Sequence, residues 1–223
     1  MESVATLALV GGDPALDLVN TLERGLARPT RPNQDFLADP ESVLVWAERA
    51  GLLAETETSA VRSAWRAGPV LAGSNLTCLV EVREALHTVL AASVDGDRSA
   101  DPAVAPALEV LRRHWLEAMR RSRIQARGDG PAVGLEVGVE PAWQPLDRAV
   151  AAAFDLVRGP DRARLRRCPF DEGGCGWMFV DRTRNGSRRW CRMADCGTQV
   201  KSRRLTERRR EQRRTSNGGD DDG

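Results

Sequence analysis

Apolar residues recur at helical spacing through most of the chain. Residues 13–24, DPALDLVNTLER, open on Asp13 and Pro14, a cap and first-turn pair, and Leu16, Val19 and Leu22 follow three apart. Asp39 and Pro40 repeat the signal, with Val43, Leu44 and Ala47 facing inward and Gly51 as the stop. A helix around 57–67 is expected to bury Val61 and Trp65. Residues 75–92 place Leu79, Val82, Leu86 and Leu90 on one face. Asp101-Pro102 starts another helix, with Leu108, Leu111, Trp115 and Met119 as its expected inner face. Residues 132–140, AVGLEVGVE, alternate instead, which predicts one or two strands. Residues 145–159 return to helical spacing and end at Gly159-Pro160. A polar loop is expected over 26–38, and no internal repeat is visible.

The pattern divides the chain. Residues 1–160 read as a helical domain with a small β element, 161–214 as a small C-terminal module, and 215–223 as a disordered polar tail. The predicted fold class is mainly α. Composition agrees with an ordinary globular protein, at 41% hydrophobic and 29% charged residues. No apolar run approaches the roughly 18 residues of a membrane span. The first residues lack the basic start of a signal peptide, so a cytoplasmic protein is expected.

Charge sharpens the division. Residues 161–214 hold 17 basic and 7 acidic residues, a net of +10, whereas residues 1–160 carry a net of −6 and the tail's three aspartates −3. Such a basic segment suits an anionic polymer. Lys201 is the only lysine, so nearly all of that charge is arginine.

Four of the five cysteines fall in this segment, as Cys168-x6-Cys175-x15-Cys191-x4-Cys196. Two pairs separated by a hairpin-length segment suit one structural Zn2+ held by four thiolates, with no open position for a substrate. Clustered thiols also fit a reducing compartment better than a disulfide framework. The first gap exceeds the usual two to four residues, so PFDEGG must bulge as a wide knuckle. GWMFVD and RRWC read as a β-hairpin turned at Asn185-Gly186, with Asp195 capping a helix from near Cys196. Knuckle, hairpin and helix make a treble-clef-like finger. Trp177 and Phe179 would pack its small core, and Trp190 would share that role or stack on a base.

CGWMFVDRTRNGSRRWC followed by CGTQVKSRR resembles the CGNR zinc-finger signature. GGDPALDLVNT (11–21), DFLADPESVLVWAERAGLL (35–53) and LVEVREALHTVLAA (79–92) resemble, in order, the ABATE domain that precedes this finger in bacterial proteins. The resemblance spans nearly the whole chain. It implies a stress-related transcription regulator whose finger binds DNA, with Cys168, Cys175, Cys191 and Cys196 as zinc ligands. One departure is clear: the name-giving tetrapeptide is Cys196-Gly197-Thr198-Gln199 here, with Thr and Gln in place of Asn and Arg. Zinc binding is expected to survive the change, whereas any contact made by that Asn or Arg is altered.

The functional expectation is a DNA-binding regulator in which Arg182, Arg184, Arg188, Arg189, Lys201, Arg203 and Arg204 meet phosphates or base edges. The acidic domain would sense a small molecule, bind a partner protein or form a homodimer. Asp17, Asn20 and Arg83 interrupt apolar faces and are the candidate lining of an effector pocket. They read equally well as capping or surface residues. RNA or ribosome association, and a zinc-stapled protein-docking module, are the alternatives. No catalytic set is found, so no enzyme is expected. His87 and His114 read as surface or core residues, and Cys78 as a small buried apolar residue.

Overall fold

In a computed structural model of the protein, the described residues are 3–24, 34–94, 96, 100–126 and 133–217, without the side chains of 195, 199, 203, 204, 211 and 213–217. The expected loop over 26–38 and the expected disordered tail 215–223 therefore lie largely outside the described residues, although residues 215–217 are the helical end of α7 rather than a disordered start to the tail. Seven helices and four short strands are described: α1 Pro14–Val19, α2 Pro40–Arg49, α3 Glu55–Ala67, α4 Pro69–Val94, α5 Val104–Arg120, β1 Arg123–Ala126, β2 Val133–Glu136, α6 Gln144–Arg158, β3 Leu165–Arg167, β4 Met178–Val180 and α7 Thr198–Asn217. The fold is mainly α with small β elements, as expected.

The caps predicted at Asp13 and Asp39 form, whereas α5 starts two residues past Asp101-Pro102, at Val104, with no side-chain cap. Asp13 accepts from the Ala15 N–H at 2.9 Å, and Asp39 and Ser42 close a capping box at the start of α2. Leu79, Val82, Leu86 and Leu90 of α4 are all buried, and with Leu16, Leu44, Trp46 and Val150 they form the main core. Polar clamps hold the helices in register. Glu57 of α3 receives both arms of the Arg148 guanidinium from α6, at 2.6 and 2.7 Å. Arg148 beside it, with Ala54 N–H and Gln144, holds the Glu57 carboxyl down at about 2. No described helix is long and apolar enough to cross a membrane.

Three details differ from the sequence expectation. Helix α4 begins at Pro69 rather than 75, because Gly68 ends α3 and Pro69 takes the first turn, where a missing N–H costs nothing. Helix α5 is rotated: Leu108 is 48% exposed, while Val104, Ala107, Leu111, His114 and Ala118 are buried. Two alanines on the inner face let α5 pack closely on its neighbours, and Trp115 lies at the edge, stacked on Phe154 at 4.3 Å. The alternating segment does form a strand, β2, but its antiparallel partner β1 immediately follows α5 and was not foreseen.

The hairpin of the C-terminal module is the larger correction. GWMFVD supplies β4, yet β4 pairs antiparallel with β3, residues 165–167, and not with RRWC. The reason lies on β4's other edge. There the Val180 N–H donates to the Gly11 carbonyl at 2.8 Å, and Met178 is held through both backbone groups by the Asn20 amide. With both edges engaged, a further strand has no place. Residues after β4 instead fold around Asp181, whose carboxylate accepts from Thr183 N–H and Oγ1 and from Arg188 N–H. Those hydrogen bonds, the Thr183 hydroxyl first, hold the Asp181 carboxyl below the usual range.

Candidate metal centre and nucleic-acid interface

Strand β4 lies between two cores. Met178 and Val180 are buried in the main helical core. Phe179, pointing to the opposite face as strand geometry requires, is buried against Cys168, Cys191 and Cys196. Trp177 packs against both clusters and Trp190 against the cysteines, so Trp177 and Phe179 do form the small core the sequence suggests.

The four cysteines converge. Their sulfurs all lie within 4.8 Å of one another, with Cys175 to Cys191 at 3.3 Å and Cys191 to Cys196 at 3.7 Å. These separations are far from the roughly 2.05 Å of a disulfide and close to those between ligands of one tetrahedral ion. Cys168, Cys191 and Cys196 are buried and Cys175 half-buried. Among themselves the thiols share protons. Hydrogen bonding with Cys175, then Cys191 and Cys196, pulls the Cys168 thiol down, while bonding to Cys168 pushes Cys175 up. The donor set fits one structural Zn2+, which would hold all four as thiolates.

The wide knuckle is built by backbone. Gly174 N–H donates to Pro169 O at 2.8 Å and Gly173 N–H to Phe170 O at 2.9 Å. A Cβ on Gly174 would fall 2.5 Å from the Pro169 carbonyl and 2.7 Å from Cys168 Sγ, so only glycine lets the chain turn this tightly beside the metal. Gly174→Ala is therefore expected to weaken metal retention about tenfold or more in a chelator competition, with the helical domain's melting little changed. Cys196 sits on a π-helical turn, Met193–Gly197, that leads directly into α7. The Asp195 side chain, expected to cap that helix, lies outside the described residues.

The arginines proposed from the sequence separate into two groups. Arg188 is turned inward. Its guanidinium donates to the carbonyls of Trp190, Val180, Val10 and Cys191 and lies over the Phe179 ring at 4.3 Å. It ties the last ligand pair to β4 and to the N-terminal segment. Arg182 pairs with Asp161 at 2.6 Å, and Arg189 pairs with Glu172 beside the Trp190 ring. Arg184 and Lys201 are exposed. The side chains of Arg203 and Arg204 lie outside the described residues. Helix α7 spans 20 residues and carries eight basic and two acidic side chains. That charge extends over about 30 Å. Among its described side chains only Val200 is buried; Leu205 is 50% exposed.

Asp17, Asn20 and Arg83 each have separate partners among the described residues. Asp17 Oδ1 accepts from Gly11 N–H at 2.8 Å, and Asn20 clamps β4. Arg83, 2% exposed, grips Asp35 with both arms at 2.7 and 2.8 Å and also reaches Thr21. A groove of about 510 Å3 lies elsewhere, lined by Pro40, Glu41, Arg62, Trp65, Arg66, Pro69 and Ala72. The part played by Asn20 was the main feature missed: its partner is 158 residues away in sequence. The available signal was a polar side chain in the otherwise apolar run LDLVNT.

Burial pushes the Asp17 carboxyl up to about 6, against the smaller opposing effect of the Gly11 N–H. Its folded value lies above its unfolded one, so the native state binds the proton more tightly. Stability from this group is present below about pH 4 and is lost as pH rises through about 6. Asp17→Asn keeps the oxygen acceptor and removes the buried charge. It is expected to raise stability at neutral pH by on the order of 2 kcal/mol and to flatten the pH 4–6 region of a denaturation series.

Comparison with known families gives two matches. A family model, ABATE, described as "Putative stress-induced transcription regulator", matches residues 12–160. A CGNR zinc-finger model matches residues 164–209. No curated protein matches the chain significantly.

Proposed function

Because the chain belongs to the ABATE family and carries a CGNR zinc finger, we propose that it is a DNA-binding transcription regulator that acts by binding rather than catalysis. One observation carries this reading: α7 leaves the metal centre as a helix with a net charge of +6, and among its described side chains only Val200 is buried. A row of cations on an unburied helix suits the phosphate-lined major groove, whose width admits one α-helix. Zinc fixes where that helix starts, through Cys196 on the turn before it. Arg184 and Lys201, both exposed, are assigned to phosphates. Arg188 is assigned to structure, because its donors are engaged by carbonyls. Thr198, standing where the family signature has Asn, bonds its own turn through Met193 O at 3.0 Å. Recognition by this chain would therefore rest on the arginines of α7. The helical domain would couple an effector or partner to the finger through β4.

The test is a titration of the zinc-loaded full chain against mixed-sequence duplex DNA and structured RNA at equal salt. Preference for duplex DNA is expected. Arg184→Ala with Lys201→Ala should weaken binding about tenfold and reduce the salt slope by about two, while zinc content and melting temperature stay unchanged. Preference for RNA would move the protein to the RNA-associated class. Absence of both, with zinc in place, would indicate a protein-docking finger.

A further inference from the structure

The helical domain holds a second cluster of metal-ligating side chains, away from the four-cysteine centre. Cys78 and Glu81 lie three residues apart on α4, and His114 comes from α5, which packs beside it. Their ligand atoms lie within 4.8 Å of one another. His114 Nε2 is 3.0 Å from Glu81 Oε2. The cluster is graded in exposure: His114 is buried, Cys78 half-buried and Glu81 exposed, so two ligands are held by packing and the third faces an entry path. We propose that Cys78, Glu81 and His114 form a second metal site, for a thiophilic divalent cation of the Zn2+ or Co2+ class.

The chemistry of the set supports that class. One thiolate, one imidazole and one carboxylate are three of the donor types Zn2+ prefers, and three protein ligands leave one position for water. Spacing of three on a helix places both α4 donors on one face. Ligands of one tetrahedral ion lie about 3.5 Å apart, so from separations within 4.8 Å the donor atoms need to draw together by no more than about 1.3 Å. Two cations face the cluster. Arg121 is engaged by Asp147 at 2.6 Å and lies over the Trp143 ring. Arg113 places its guanidinium 2.7 Å from Glu81 Oε2 and 3.5 Å from His114 Nε2. A positive charge thus already sits between two of the proposed ligands, where the metal's charge would be. Arg113 is 57% exposed and can swing into solvent as the metal enters. Binding would release the Cys78 thiol proton to water and so strengthen as pH rises.

This site stands whether or not the basic helix meets nucleic acid. The full chain, with its finger saturated by zinc, is titrated with Co2+ and its metal content and thiolate-to-cobalt absorption are read. A second equivalent is expected, with an absorption of one thiolate's intensity. Cys78→Ser and His114→Gln should each weaken that equivalent about a hundredfold and leave the finger zinc as it is. Arg113→Ala should tighten it. Saturation at the finger's single ion, or a second equivalent indifferent to both substitutions, would overturn the site.

Discussion

Replacing Asn20 with alanine is expected to lower the stability of the whole chain by about 2–5 kcal/mol and to release the finger from the helical domain. The physical reason is the asymmetry of buried hydrogen bonds. The Asn20 amide accepts from Met178 N–H at 3.0 Å and donates to Met178 O at 2.9 Å, and both groups are buried. Alanine leaves a backbone donor and a backbone acceptor unpaired at the junction of two cores, at about 1–3 kcal/mol for each. The Gly11–Val180 hydrogen bond and the Arg188 tie to Val10 would be left to hold that edge. The checks are thermal melting and hydrogen exchange. A lower melting temperature with faster exchange at Met178 and Val180 is expected, while zinc stays bound. An unchanged melt would place the junction's strength elsewhere. Asn20→Asp should be as damaging, because it removes the donor and adds a buried charge.

Cys191→Ser is expected to lower the finger's zinc affinity by roughly a thousandfold or more. Its sulfur lies 3.3 Å from Cys175 Sγ and 3.7 Å from Cys196 Sγ, so it links the two halves of the centre. Without metal, residues 168–177 and 181–197 have little apolar area to hold them beyond Phe179 and two tryptophans, and a module so small does not keep its fold on that alone. The N-terminal core should survive, since Met178 and Val180 are buried in it independently of the cysteines. Limited proteolysis is expected to cut the variant after β4 and spare the helices. Metal content should fall by the finger's ion. A variant that keeps that ion, or resists cleavage as the wild type does, would contradict four-thiolate ligation.

The helices and ligands were legible because their determinants are local. Asp-Pro starts, three- and four-residue apolar spacing and cysteine spacing each act within a few residues, and each led to an element or cluster that the structure contains. The misreadings concern choices made at long range. RRWC has the composition of a strand, yet β4 already has β3 on one edge and Gly11 and Asn20 on the other, and the sequence carries no local sign of either. The rotation of α5 follows from close packing through Ala107 and Ala118, whereas the larger Leu108 draws the eye to the wrong face. Arg188 shows the same limit for function. Beside Arg182, Arg184 and Arg189 it reads as one more surface cation, but its guanidinium is the tie between Val10, Val180 and the zinc ligands.

Strand β4 also gives the regulator reading a physical route. Phe179 touches the metal centre and its two neighbours touch the helical core, so a change on one side alters the packing of the other. Asp17 lies at the same junction, through Gly11, with a carboxyl near 6. In the proposed regulator, these residues would link the helical domain to the start of α7.

The central claim is that zinc presents a basic helix to duplex DNA. The most direct measurement is the affinity of the full chain for mixed-sequence duplex across a salt series, with zinc bound and after its removal by chelation. With zinc, the logarithm of affinity should fall against the logarithm of salt with a slope of about −4 to −6, and chelation should weaken binding at least about tenfold. Binding that is absent at low salt with zinc in place, or equal with and without the metal, would contradict it.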